Sequence, residues 1–291
     1  QIHSESHQAA VWVAQAITQF VRQSPENSIM NSAKDKAWDE PLVGFSSGSD
    51  PLYEEFKRHI GEFYWTPLEI FHLSFPDLKI TADRLTVVSW ILPQTELTRY
   101  EQRKHVKQPA ERWIGAYIYG EEFNNSLRRY VEKMLRQAGH HAVAPVLSSR
   151  WERNTSSNYG FASSWSERHA AYAAGLGTFG LCDGLITPKG KAVRCGSVVT
   201  SARIPPSKRP YQDHHQYCLF FSKATCGKCI DRCPAGAIGP AGHDKIKCKN
   251  YTRRTVLPYI KYRYGLVAHP CGLCQTRVPC EKRIPPTDKL D

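Results

Sequence analysis

Eight of the ten cysteines lie beyond residue 205, and their spacing constrains this part of the chain more than any other feature. Cys226, Cys229 and Cys233 stand as Cys-x2-Cys-x3-Cys, with Pro234 directly after the last. That reproduces three of the four steps of the bacterial ferredoxin run, Cys-x2-Cys-x2-Cys-x3-Cys-Pro. The missing first step falls at Lys223, and Cys218 is the obvious replacement; Cys248, Cys271, Cys274 and Cys280 follow. Eight thiolates suffice for two 4Fe–4S clusters. In two-cluster ferredoxins the fourth cysteine of one run ligates the other cluster. Applied here, that crossing puts Cys218, Cys226, Cys229 and Cys280 on one cluster and Cys233, Cys248, Cys271 and Cys274 on the other. Structural zinc also uses Cys-x2-Cys pairs, but the three-cysteine cadence running into Pro234-Ala235-Gly236-Ala237-Ile238 is more specific. A disulfide across a Cys-x2-Cys step is strained. Cys182 and Cys195 lie outside the set and read as buried inert thiols.

With 291 residues, 41% hydrophobic and 23% charged, the chain has the composition of a folded protein with a larger domain and a compact appendage. It contains no apolar run near the roughly 20 residues of a membrane span. The net charge of +12 suits nucleic acid, an acidic partner or an anionic cofactor. The denser basic stretches, Arg99 to Lys107, Lys245 to Arg254 and Lys261 to Arg263, read as solvated faces. Cysteines at metal-ligand spacing point to a reducing, cytoplasmic setting; an export signal removed ahead of Gln1 is the other possibility.

Val13, Ile17, Phe20 and Val21 recur at helical spacing, and the polar stretch from Ser24 to Asp50 reads as a long surface loop. Tyr53, Phe56 and Ile60 predict a short helix closed by Gly61. Thr86 to Leu92 predicts a buried strand, followed by a charged connection. Phe123, Leu127, Tyr130, Met134 and Leu135 share one helical face that Gly139 stops. Ala142 to Leu147 predicts a strand, Ser164 to Ala174 a helix and Ser197 to Thr200 a further strand. Pro205, Pro206 and Pro210 break the alternation, which places a domain boundary between 1–205 and 206–291.

Gly175-Leu176-Gly177-Thr178-Phe179-Gly180 matches G-x-G-x-x-G, but a helix-like run precedes it where a dinucleotide fingerprint requires a strand. The turn reads instead as a close approach to another chain segment or to a large planar cofactor. Ser166-Glu167-Arg168 through Gly180, then Leu185-Ile186-Thr187-Pro188, Val198-Val199-Thr200 and the cysteine run resemble the epoxyqueuosine reductases and reductive dehalogenases. Val87-Val88-Ser89-Trp90 and the stretch from Leu127 to Ala144 fit the same family more loosely.

The resemblance implies an α+β architecture, a nitroreductase-like cobalamin-binding domain followed by a bacterial ferredoxin-like two-cluster domain. It implies a corrinoid held near Gly175, Leu176, Gly177, Gly180, Thr187 and Thr200, fed with electrons by the clusters. Where epoxyqueuosine reductases carry an acidic proton donor, this chain reads Asn158-Tyr159-Gly160-Phe161-Ala162-Ser163, without a carboxylate. It also ends at Asp291, without the C-terminal extension used in tRNA recognition. Both departures favour a small-molecule substrate over tRNA. The dehalogenase pattern makes Tyr159 the candidate proton donor and Arg194 the candidate for stabilising developing negative charge. Tyr117, Tyr119 and His169 are weaker candidates, and His214-His215 reads as surface loop. The resulting expectation is a corrinoid-dependent iron–sulfur reductase served by a ferredoxin or flavodoxin. The runner-up is an electron-transfer protein that serves a partner enzyme.

Overall fold

The computed structural model describes residues 2–29 and 35–287. The first helix, α1 (Ile2–Gln23), buries Val13, Ile17 and Val21 along one stripe. There follow β1 (Leu42–Ser47), α2 (Leu52–Ile60), α3 (Pro67–Ser74), β2 (Thr86–Pro93), α4 (Glu96–Lys104), α5 (Glu111–Gln137) and β3 (Ala142–Val143). A hairpin of β4 (Arg153–Ser156) and β5 (Gly160–Ser163) leads into α6 (Glu167–Ala173). The short strands β6 (Thr178–Phe179) and β7 (Leu185–Ile186) then precede β8 (Val193–Thr200).

The main sheet runs β1-β2-β8-β3, with every pair antiparallel. All eight residues of β2 are buried, and alternation sends them to two cores. Val88, Trp90 and Leu92 pack with Val198 against Val13, Ile17, Phe123 and Leu127 of α1 and α5. Val87, Ile91 and Val199 pack against Tyr53, Phe56, Ile70, Phe71 and Ala170 of α2, α3 and α6. The result is a helix–sheet–helix sandwich, an α+β fold. Gly196 lies opposite Trp90 in the register, and a Cβ there would meet the indole at 2.4 Å, so the large ring requires that glycine.

The cysteine-rich part is built from short pieces: α7 (Leu219–Lys223), α8 (Lys228–Asp231), β9 (Ile238–Gly239), β10 (Gly242–His243), α9 (Lys245–Tyr251) and α10 (Leu257–Tyr264). A π-helical turn over Thr252–Val256 joins the last two helices. Among the described residues no helix is long and apolar enough to cross a membrane.

Several expectations need correction. The stretch from Ser24 to Asp50 is not all loop, because β1 lies inside it with Phe45 buried, while residues 30–34 of that stretch fall outside the described residues. Its Ser and Gly flanks hid a short sheet-edge strand. The strand expected over 142–147 stops at Val143, where Ala144 precedes Pro145 and the chain turns into a 3-10 helix, Pro145–Leu147. Two helices ahead of residue 205 have no counterpart in the expectations, nor have the four short helices α7 to α10 beyond it. The capping box of Thr66 and Glu69 starts α3, and Thr95 caps α4 within the charged connection.

Candidate metal centre and active site

The ten cysteines are all free of disulfides. Cys218 precedes α7, Cys226 and Cys229 flank the start of α8, and Cys280 follows the 3-10 turn Leu273–Gln275. These four line one cavity together with Gly180, Leu181, Ile186 and Lys191. Cys233, Cys248, Cys271 and Cys274 lie nearby. Burial pushes the Cys271 thiol up to about 11, and its thiol neighbours are Cys248 and Cys233. Cys274 is raised by contact with Cys182, then by burial, and Cys271 adds to it. Burial also raises Cys280 to about 11, with Cys218 and Cys226 among its neighbours. Two sets of four soft thiol donors, each set drawn from both ends of the segment, fit two cubane clusters. Among the described residues no three His, Cys, Asp or Glu side chains converge as ligands of one mononuclear ion.

The segment is clamped from outside. On α4, Gln102 donates to the Cys271 carbonyl at 2.8 Å and accepts from Ala110 N at 2.8 Å. Arg103 Nε donates to buried Glu281 at 2.8 Å, next to Cys280, and the Arg277 amide donates to the same carboxylate at 2.7 Å. Arg232, beside Cys233, reaches the carbonyls of Leu273, Thr276 and His105 at 3.2, 3.0 and 2.9 Å. Gly272 has φ +65, and a Cβ would meet the Trp113 ring at 2.2 Å. The unread helix α4 thus holds the second half of the cysteine run.

The glycine turn packs against protein. A Cβ on Gly175 would meet the Lys208 carbonyl at 2.4 Å, one on Gly177 the Ile186 carbonyl at 2.3 Å, and one on Gly180 the Ile186 side chain at 3.2 Å. Leu176 sits in the core. The Thr200 hydroxyl donates to the His141 carbonyl at 2.9 Å. The Thr187 hydroxyl donates to the Gly190 carbonyl at 2.7 Å and accepts from Lys189 N at 3.0 Å. These six residues are thus engaged with the chain itself. The turn follows α6 and precedes a two-residue strand, the wrong order for a dinucleotide fingerprint.

Tyr159 lies at the tip of the β4–β5 hairpin, 46% exposed, with Lys245 Nζ of α9 5.5 Å from its ring centroid. Lys249 lies 3.7 Å over the Phe161 ring, so the hairpin rests on the helix that carries Cys248. Arg194, on β8, makes an ion pair with Glu121 at 3.0 Å and lies 5.3 Å over the Tyr117 ring. Tyr159 and Arg194 sit on different elements, and no contact joins them. His169 is half-buried against Phe56 and Phe179, its Nδ1 2.7 Å from Ser166 Oγ, and desolvation lowers its pKa to about 3. His215 stacks on Phe221.

The sequence reading missed a buried ion network behind Arg194. Arg128, 1% exposed, pairs with Glu121 at 3.0 Å and with Glu167 at 3.0 Å. Ser197 donates to Glu167 and accepts from Trp165 Nε1 at 3.0 Å. Burial raises the Glu167 carboxyl above its usual value against the pull of Arg128. Glu167 lay in the quoted Ser166-Glu167-Arg168 motif, so the signal was present without its partner. Burial pushes Cys195 up to about 12, consistent with an inert thiol. Cys182 is different, since its Sγ accepts from the buried Lys191 ammonium at 3.1 Å and its side chain packs with Cys229 and Cys274.

No protein-family model matches the chain. Over 123 residues, 40% of this chain, it is 36% identical to an epoxyqueuosine reductase of Bacillus cereus and 35% identical to one of Bacillus anthracis. The match spans 30% of the length of each. A catabolic reductive dehalogenase, NpRdhA, solved with 3-bromo-4-hydroxybenzoic acid, superposes over 96% of this chain and 38% of its own, with a TM-score of 0.52 at 17% identity. The sequence match is thus to epoxyqueuosine reductases over part of the chain, and the likeness to the reductive dehalogenase is one of fold.

Proposed function

We propose that the chain is a corrinoid-dependent iron–sulfur reductase that removes oxygen or halogen reductively from a small-molecule substrate. What supports this reading is eight cysteines at iron–sulfur ligand spacing, four of which, Cys218, Cys226, Cys229 and Cys280, line one cavity; Cys233, Cys248, Cys271 and Cys274 are the four left to hold the second cluster. Two clusters held this way pass single electrons inward from a ferredoxin or flavodoxin, and residues 206–291 form the electron-delivery domain beside a substrate-side domain of residues 1–205. The corrinoid is supported by the family likeness rather than by the glycine turn, whose residues are already satisfied by the chain. When bound, it supplies the low-valent metal chemistry.

The chain's own groups then have defined tasks. Tyr159, exposed at the hairpin tip, gives a proton to the departing group. Arg194, held by Glu121 and in turn by Arg128, stabilises negative charge developing on the substrate. A cytoplasmic setting suits thiolates that must stay reduced.

Anaerobic iron, sulfide and cobalt analysis after incubation with cobalamin, read with the visible spectrum, tests the proposal. About eight irons and one cobalt per chain support it. Eight irons without cobalt would replace it with an electron carrier. In a loaded enzyme, Y159F is expected to lower turnover while leaving metal content intact.

A further inference from the structure

We propose that Lys191, acting through the thiol of Cys182, is a positioning residue that sets the reduction potentials of the two iron–sulfur clusters. The inference deepens the two-cluster reading and rests on it.

The turn that carries Lys191 docks on the cysteine segment. Gly190 has φ +81, and a Cβ there would meet the Glu281 carbonyl at 2.1 Å. Lys191 N donates to the Cys280 carbonyl at 2.8 Å, and Ala192 N to the Glu281 carbonyl at 3.2 Å. The Thr187 hydroxyl closes the turn on the Gly190 carbonyl. Three backbone contacts and one side-chain contact therefore fix where the Lys191 side chain enters.

That side chain is 3% exposed and lines the cavity of Cys218, Cys226, Cys229 and Cys280. Its ammonium donates to Cys182 Sγ at 3.1 Å, and no carboxylate among the described residues lies within ion-pair distance of it. A buried lysine without a carboxylate is costly unless other negative charge compensates it. The cysteines that line the same cavity, as thiolates on a cluster, are that charge.

Cys182 extends the contact in two directions. Cys182 packs in one buried cluster of side chains with Cys218 and Cys229 of one set, and Cys274 and Cys233 of the other set pack against that cluster. Cluster potentials respond to net charge and to hydrogen bonds at the cluster sulfurs. Reduction adds negative charge to a cluster. A nearby ammonium, relayed through the Cys182 sulfur that packs against the cluster cysteines, stabilises the reduced form and raises the potential. Because the relay packs against cysteines of both sets, it also sets the gap between the two potentials, and with it the direction of electron flow.

The test is an anaerobic redox titration of reconstituted full-length protein, followed by electron paramagnetic resonance, for wild type, K191M and K191R. K191M is expected to keep its iron and to move at least one midpoint to more negative potential by about 59 mV or more, a tenfold shift in a one-electron equilibrium. K191R should restore most of that shift. Unchanged midpoints at full iron content would overturn the inference. Should K191M lose iron, C182S, which keeps a hydroxyl of nearly the same size but weakens the relay, carries the same readout. A changed gap between the midpoints supports the relay and an unchanged gap overturns it. Wild-type protein without two reducible clusters would instead sink the two-cluster reading, a result visible before any variant is compared.

Discussion

Replacing Gly190 with alanine isolates how much the docked turn matters to the cluster site. Two costs arise. The first is the left-handed backbone, φ +81, which costs a residue with a Cβ about 1–2 kcal/mol. The second is overlap, because the new Cβ would lie 2.1 Å from the Glu281 carbonyl and 2.3 Å from Lys282 N, both backbone atoms that no rotamer change can move. Forcing such an insertion into packed structure adds about 1–3 kcal/mol, for a total of roughly 2–5 kcal/mol. Gly139 supplies the control. It has φ +85 past the end of α5, and a Cβ there meets nothing within 4 Å. G139A should therefore lose only the first cost. Anaerobic urea unfolding and iron analysis of both reconstituted variants distinguish them. G139A is expected to keep its full iron and to lose about 1 kcal/mol. G190A is expected to lose clearly more and to hold less iron, since the displaced segment is the one that carries Cys280. Equal losses with equal iron would refute the docking argument.

Three further outcomes follow from the geometry. R128M leaves the Glu167 carboxylate buried without its partner, so urea unfolding should show a loss of about 3–5 kcal/mol; R128M together with E167Q should recover much of it. His169 is held neutral by desolvation, with its native pKa depressed to about 3, so the unfolded chain takes up the proton first as pH falls below the ordinary 6.5. The stability it contributes is full above 6.5 and is lost between there and about 3, at about 1.4 kcal/mol per pH unit, and H169Q should flatten unfolding midpoints measured from pH 7.5 to 5.5. Removal of the clusters by a chelator should raise amide hydrogen exchange over residues 218–285 far more than in β2 and β8. The small core there consists largely of the cysteines themselves, whereas the main sheet has two large apolar cores.

Local signals carried much of this protein. Ligand spacing is a property of neighbouring residues, so the eight cysteines could be picked out from the sequence, and Cys218, Cys226, Cys229 and Cys280 line one cavity in the fold. The helices α1, α2 and α5 and the strands β2 and β8 announced themselves by periodicity, because each buries one stripe or two full faces. The edge strand β1 and the helices α3 and α4 did not. Their identity depends on what covers them, and α4 reads as a charged connection until Gln102 and Arg103 are seen gripping the carbonyl of Cys271 and the carboxylate of Glu281.

The active-site expectations divide in the same way. Arg194 is a candidate through the dehalogenase resemblance, but its pairing with Glu121, and through Arg128 with Glu167, joins residues scattered from 121 to 194 and has no local signature. The glycine turn reads as a close approach to another chain segment or to a planar cofactor, and its close neighbours are the chain's own Lys208 and Ile186. Cys182 looked like a spare hydrophobe because nothing adjacent in sequence marks it. The sequence by itself determined the number and type of soft metal donors, since composition and spacing survive any packing. Only the tertiary structure decided that a buried lysine nine residues further along, on a turn pinned to Glu281, brings its charge to a sulfur packed with cysteines of both sets; contacts of that kind exist only once distant segments share one core.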